Sequence, residues 1–369
     1  VQEVSLAKRK RGSSRIISPP PLAAGETAAS MIEKSFLAYN SRRLQDAGRL
    51  FVEKIARPKT RVTLAISGAL TPAGLGASCI VPLMERGWVD WIVSTGANLY
   101  HDLHVTLGFP PEKGPRDADD ARLLEEGKVR IYDILLPMEA LLETDRFVRE
   151  AASAALEEGT LQGPCSSADV HRMLGEALIA KDPGSVGRSI LAAAAQWDIP
   201  VYAGAPGDSS IGMNLAALEL SGSGAGLDIA RDVNETASFV YDIKRTGGKS
   251  AVVILGGGTS KNFALQTEPH IQEVLGLDEK GHDFFIQFTD ARADTGGLSG
   301  ATPSEAVTWG KVDPDRLPDA VVCYGDCTIL VPLWTSYVLE RGRGRKPGRL
   351  WKRRNACVKR LRDDYLSQA

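Results

Sequence analysis

Apolar residues along this chain follow two alternating periods. Over 27–55, Met31, Phe36, Leu37, Leu44, Ala47, Leu50, Phe51 and Ile55 recur at mixed three- and four-residue steps, which predicts a pair of amphipathic helices. At Arg61 the period changes, and the run VTLAI over 62–66 predicts a short buried strand. Ser67-Gly68-Ala69 follows, and then Thr71 as cap and Pro72 as first helical residue predict a helix to about Arg86. The unit repeats at once: WVDWIV over 88–93 predicts a second strand, leading into Ser94-Thr95-Gly96-Ala97-Asn98. The charged, Pro/Gly-rich stretch 110–130 reads as a surface excursion, with order resuming over 130–136. Further strands are predicted over 199–203, 250–255, 283–289 and 320–324, and helices over 145–157, 189–197, 227–246 and 330–339. Strands alternating with helices specify an α/β fold with a parallel sheet, whose ligands lie at the carboxyl ends of the strands.

Outside this pattern lie two basic ends. Residues 1–27 carry Lys8-Arg9-Lys10-Arg11 and Pro19-Pro20-Pro21 and read as an extended arm; 28–340 form the patterned domain; 341–369 read as a basic, solvated or partner-docking tail. A chain of 369 residues can bury a substantial core. Near-equal basic and acidic counts (44 and 46) argue against a nucleic-acid binder. Five cysteines without a C-x-x-C pair fit free thiols in a reducing cytoplasm. No apolar run has transmembrane length, so no membrane contact is expected.

Candidate chemistry sits at the predicted strand ends. Ser67, Thr71, Thr95 and Gly96 line two successive turns, where small residues and a helix N-terminus form an anion cradle. Gly256-Gly257-Gly258 directly after VVIL lets a ligand approach the backbone and is the most phosphate-like turn in the chain. Asp208, in Asp208-Ser209-Ser210, is placed to hold a ribose or an amine, although this is also ordinary turn chemistry. His101 and His104 lack a third ligand nearby in sequence, so no metal is expected. Thr302-Pro303-Ser304-Glu305 is a capping-box pattern that explains Glu305 structurally; its functional reading is a carboxylate one turn before Trp309. Lys311 follows Trp309-Gly310, where an indole that excludes water would disfavour the ammonium form of an amine nucleophile.

These motifs together resemble the deoxyhypusine synthase family over roughly residues 30–340. The matching stretches are SGALTPAG at 67–74, VDWIVSTGAN at 89–98, ILGGGTSKNF at 254–263, SGATPSEAVTWGKV at 299–312 and YGDCTILVPL at 324–333. The resemblance implies a single large domain with a Rossmann-like parallel sheet flanked by helices and a helical N-terminal extension. It implies NAD as a cycling cofactor, with contacts at Ser67, Thr71, Thr95, Gly96, Asp208, Gly257, Gly258 and Asp326. Lys311 would carry a covalent imine, Trp309 would wall the polyamine, and Glu305 would anchor an amine. A homotetramer with active sites at subunit interfaces is also implied.

Departures from the family pattern point to a changed substrate. Asn262 stands where the family has a histidine, Leu298 and Met213 where it has aspartates, and Tyr100-His101 where it has an acidic pair, with Asp102 retained. Fewer carboxylates for a polycation imply a different amine. The chain therefore resembles the prokaryotic deoxyhypusine synthase-like branch, which makes homospermidine or a bis-guanidino counterpart from small amines. His101, Asp102 and Asn262 become candidate substrate contacts. True deoxyhypusine formation on a protein lysine and an inactive NAD-binding scaffold are the alternatives.

Overall fold

Six strands carry the architecture: β1 (Thr60–Ile66), β2 (Trp91–Ser94), β3 (Val201–Ala203), β4 (Lys249–Leu255), β5 (Phe284–Thr289) and β6 (Ala320–Tyr324). They form one fully parallel sheet in the order β3-β2-β1-β4-β5-β6 in a computed structural model describing residues 16–368. The chain winds outward from β1 through β2 to β3, then returns to the other side of β1 with β4. The strand order thus reverses between β1 and β4, and a crevice opens at their carboxyl ends. Ile66 pairs with Leu255, so Ser67 and Gly256 leave the sheet side by side.

Both faces of the sheet are covered, which is why its strands read as continuous apolar runs. Alternate residues point to opposite sides. Val62, Leu64 and Ile66 join Val253, Leu255, Ile286 and Phe288 in one core cluster, under the helices Tyr39–Leu50, Gly96–Thr106, Met138–Glu157 and Cys327–Arg341. Ala65, Trp91, Tyr202, Val252, Ile254 and Phe285 join the other, under the helices Ile229–Arg245, Gly258–Pro269 and Leu350–Leu366. The α/β expectation therefore holds, and each predicted sheet strand is present within a few residues of its expected bounds.

Three local expectations change. Thr71 does not cap a helix. Its hydroxyl donates to the Asn98 carbonyl (2.8 Å), and regular winding begins only with the wide turn Gly76–Ile80 and the helix Val81–Glu85. The surface excursion contains a small antiparallel sheet of Glu112–Lys113, Ile134–Pro137 and Lys128–Ile131, with the helix Asp120–Glu125 capped by Asp119. The helices Ser167–Lys181 and Ser210–Glu219 were not anticipated; the first begins in a capping box of Ser166 and Asp169. Of the N-terminal arm, Lys8-Arg9-Lys10-Arg11 lies outside the described residues, and Pro19-Pro20-Pro21 is exposed without helix or strand.

The basic C-terminal segment differs most from a solvated tail. Leu350, Cys357 and Leu361 of its helix are buried in the second core cluster. Its cations turn inward to acids that are buried or half-buried: Arg353 and Arg360 to Asp242, Arg354 to Asp169 and Glu235, and Lys352 to Asp198. Ahead of the helix, Arg345 grips Asp90, whose Oδ2 also accepts from the Val62 N–H (2.7 Å) at the start of β1. Among the described residues no helix is long and apolar enough to cross a membrane.

Arg345 and Asp90 are only 7% and 3% exposed, so removing one partner strands the other charge. Arg345→Ala is expected to cost about 3 kcal/mol of unfolding free energy, near the low end for breaking a buried pair. A urea titration reads this as a lowered midpoint at unchanged slope.

Candidate functional site

Glycine turns and one buried polar hub bring the candidate residues together. After β4, Gly256 takes a φ of 87°, and the helix Gly258–Pro269 begins two residues later. A Cβ at Gly257 would lie 2.5 Å from Ser299 Cα, so only glycine allows this turn to meet the loop that follows β5. Gln287, fully buried in β5, donates to the Gly256 carbonyl (2.8 Å) and to the Ser299 carbonyl (2.8 Å). The Lys261 ammonium completes the hub, donating to Gln287 Oε1 (3.0 Å), the Ser299 carbonyl (3.3 Å) and the Ala301 carbonyl (2.6 Å). Lys261 thus points into the protein rather than out of the turn as a phosphate-binding lysine would.

The same loop delivers the helix Pro303–Thr308. Thr302 caps it by accepting from the Glu305 N–H (3.2 Å), but the Glu305 carboxylate makes no hydrogen bond among the described residues. Half of the expected capping box is therefore present, and the carboxylate is left facing a cavity of about 350 Å³. Gly310 ends the helix at a φ of 66°, and the following backbone is held from two sides. The Gln272 side chain donates to the Gly310 carbonyl (2.8 Å), and the His282 N–H donates to the Lys311 carbonyl (3.0 Å).

Lys311 projects from this braced backbone into the cavity. Its Nζ donates to Asn262 Oδ1 (3.0 Å) and lies 5.7 Å from the centroid of the Trp309 ring. Burial holds its pKa below the usual lysine value, while the carboxylates of Glu305 and Glu273 pull it back up. Lys261 is lowered to about 8 by deeper burial; Glu305 opposes the shift and the Lys311 charge adds to it. Trp309 is 58% exposed and Leu298 51%, so one side of the cavity is open and apolar.

The turns after β1 and β2 form a second cluster at the crevice. Asn98 Oδ1 accepts from the N–H groups of Leu70 (2.7 Å) and Thr71 (3.2 Å), and its amide donates to Thr95 Oγ1 (3.0 Å). Thr95 donates to the Gly68 carbonyl (2.6 Å), and Ser67 donates across the β1–β4 crevice to the Gly257 carbonyl. A Cβ on Gly96 would fall 2.2 Å from that of Ser209, so this glycine packs its helix against the turn carrying Asp208. Asp326 caps the helix Cys327–Arg341 by accepting from the Thr328 N–H (2.7 Å).

Two candidate substrate contacts do not line the cavity. Asp102 is buried and accepts from Ser189 Oγ (2.6 Å), the Ile190 N–H (2.8 Å) and the Leu191 N–H (3.0 Å), which anchors the start of the helix Ile190–Trp197. His101 sits one residue earlier, packed between Tyr100 and His104, with burial lowering its pKa. Among the described residues no cluster of three metal-ligating side chains occurs. Conversely, Lys261, Gln287, Asn98 and Glu273 were not singled out from sequence. Lys261 one turn into a helix opened by three glycines, and Asn98 at the end of STGAN, stood within recognised motifs; Gln287 and Glu273 lay outside any.

Comparisons with known proteins bear on the family and the fold. A profile of the family described as deoxyhypusine synthase matches residues 30–338. A deoxyhypusine synthase-like protein of Nostoc sp. is 50% identical over 353 residues, covering 95% of this chain and 91% of that protein. A Methanosarcina acetivorans protein assigned as deoxyhypusine synthase 2 is 37% identical over 295 residues, covering 80% of this chain and 81% of that protein. The crystal structure of an Entamoeba histolytica protein assigned as a deoxyhypusine synthase superposes with a TM-score of 0.57 at 14% identity, covering 89% of this chain and 99% of that one; this supports the fold. A family match across most of the chain and a half-identical relative of nearly equal length lead to one conclusion: the chain belongs to the deoxyhypusine synthase family.

Proposed function

We propose that this protein is an NAD-dependent transferase that moves a four-carbon aminobutyl (or guanidinobutyl) unit from a polyamine, through an imine on Lys311, to a small acceptor amine. One observation carries the reading: Lys311 Nζ, lowered in pKa, lies beside Asn262 and the Trp309 ring in a cavity with unpaired carboxylates. Amine nucleophiles need that combination of partial dehydration and a partner that holds the neutral nitrogen in place. Trp309 walls the methylenes of the substrate, and Glu305 receives a terminal ammonium.

The crevice between β1 and β4 suits a dinucleotide. Gly68 and Gly258 have φ values of 67° and 54°, and a Cβ on either would meet nothing within 4 Å, so bare backbone borders open space there. The N-terminal end of the helix Gly258–Pro269 favours a pyrophosphate, and Asp208 and Asp326 stand at strand ends on either side, where ribose hydroxyls would be bound. NAD bound there would supply a hydride acceptor for the amine-bearing carbon of the donor and, in its reduced form, the hydride for the final imine.

Neutral Lys311 Nζ adds to the imine carbon of the oxidised donor. The bond from that carbon to the departing amine breaks, a proton passes to the leaving nitrogen, and the aminobutyl unit stays on Lys311. An acceptor amine then displaces Lys311 in the same manner. The thinned carboxylates, with apolar Leu298 lining the cavity, favour a small acceptor over a protein lysine. The exposed Trp309 and Leu298 fit an active site completed by a neighbouring subunit of a homotetramer.

Incubation with NAD and spermidine, putrescine or agmatine, followed by borohydride trapping and mass spectrometry, tests the reading. An adduct on Lys311 with a homospermidine-type or bis-guanidino product is expected, and Lys311→Ala should abolish both while leaving NAD binding intact. An adduct without any small product would favour a protein-lysine acceptor. No adduct with any of these amines would sink the transfer reading and leave the NAD-binding scaffold.

The pH dependence follows from the lysine's surroundings. Only the neutral amine attacks, so the rate of adduct formation should rise with pH and level off below the ordinary lysine pKa of 10.5. Glu305 stabilises the ammonium form, so Glu305→Gln lowers the Lys311 pKa and should move the rising limb to lower pH. A limb that stays in place, or moves to higher pH, would show that Glu305 does not act on Lys311.

A further inference from the structure

The cavity around Lys311 holds a second carboxylate that no sequence motif marks. Glu273 lies in the wide turn His270–Val274, which continues the helix Gly258–Pro269 and is closed by the Leu275 N–H donating to the His270 carbonyl (2.9 Å). Such five-residue turns re-aim side chains and recur at functional sites. Here the residue before Glu273 is pinned: Gln272 donates to the Gly310 carbonyl (2.8 Å) and to Glu268 Oε2 (3.3 Å). A Cβ at Gly310 would lie 2.5 Å from Gln272 Oε1, so the turn and the Lys311 backbone are in tight contact. The backbone that carries the exposed Glu273 side chain is therefore held against the backbone that carries Lys311.

Neither Glu273 nor Glu305 has a hydrogen-bond or ion-pair partner among the described residues, although both line the cavity. Its two lysines are already engaged, Lys311 with Asn262 and Lys261 with Gln287 and two carbonyls. The carboxylates come from different places: Glu273 stands twelve residues beyond Lys261 on the same continuous winding, about 18 Å at 1.5 Å per residue, whereas Glu305 follows Ala301, whose carbonyl accepts from Lys261 (2.6 Å). Glu305 raises the pKa of both Lys261 and Lys311, and Glu273 raises that of Lys311. The apolar residues Leu265, Pro269, Leu298 and Trp309 line the same cavity. Two anions supplied by separate elements to one cavity that also holds apolar walls and an amine complement a linear alkane chain carrying a cation at each end.

We infer that Glu273 is a specificity-determining residue that binds one terminal ammonium of a linear diammonium substrate while Glu305 binds the other. This rests on the transferase reading for the identity of the cavity as the active site, but it concerns recognition and can be measured without turnover. A monoamine satisfies only one of the two carboxylates and leaves the other without a counter-ion, so it binds more weakly. Substrates are thereby selected by charge at both ends, with the methylene run read by the walls between.

Isothermal titration calorimetry of the full chain with spermidine, putrescine and butylamine tests this. Glu273→Gln is expected to weaken both polyamines roughly tenfold, the effect of losing about one charge-assisted contact, and to leave butylamine within about twofold. Glu273→Asp should recover part of the loss. Equal affinities of wild type and Glu273→Gln for spermidine and putrescine would overturn the proposal, as would an equal loss for butylamine, which would mark a general field rather than an end contact. The outcomes for the two readings separate. A protein that binds diamines through Glu273 yet forms no adduct keeps this inference and loses the transferase; one that forms the adduct with no dependence on Glu273 does the reverse.

Discussion

The buried ammonium of Lys261 holds the site together. A lysine 3% exposed loses most of its hydration, and it is tolerated here because Gln287 Oε1 and the carbonyls of Ser299 and Ala301 replace the water. Those acceptors come from β5 and from the loop after it, while Lys261 comes from the helix after β4. One side chain therefore fastens the triple-glycine turn to the segment that carries Glu305, Trp309 and Lys311. Gln287 reinforces the join through the Gly256 carbonyl, and Ser299 Oγ accepts from the Gly258 N–H (2.9 Å). The β1–β4 crevice and the cavity around Lys311 share this joint; in the transferase proposed above, it would keep hydride transfer and imine chemistry in register on one substrate carbon.

Charge balance at the cavity follows from the same joint. Two lysines would repel at close range, and the weaker base is the deeper one: Lys261 is held at about 8. Glu305 acts on both lysines and Glu273 on Lys311, so the acids temper the depression that burial produces. An amine kept wholly neutral by burial would need no carboxylate nearby; one kept poised needs both influences. The bond to Asn262 Oδ1 is consistent with this, because an amide oxygen accepts from an amine or an ammonium without adding net charge.

Periodicity made the sheet legible because parallel strands buried on both faces are uninterrupted apolar runs, and all six were visible as such. The turns were legible as well, since Gly256-Gly257-Gly258 and Thr95-Gly96 can serve few purposes at a strand end. Long-range pairing was not legible. Nothing local in Asp102 shows that its carboxylate anchors a helix starting at Ile190, and nothing in the C-terminal basic run shows that Asp90, Asp169, Asp198, Asp242 and Glu235 await it. A run of arginines looks like a solvated tail until the buried acids are placed, because charge patterning in one segment carries no information about a partner far away in sequence.

The departures from the family pattern take on a different meaning once the cavity is seen. Against the family pattern that the sequence resembles, Leu298 and Met213 stand where aspartates are expected and Asn262 where a histidine is, which reads as a loss of grip on a polycation. In three dimensions Leu298 and Asn262 line the cavity, and Glu273, from a turn outside every motif, lines it too. Under the inference drawn above, Glu273 supplies an anion from outside every motif, and it sets with Glu305 which separation of charges is favoured. A count of carboxylates along the sequence therefore underestimates what the site can recognise, because recognition of a flexible polycation depends on where the anions stand along its length.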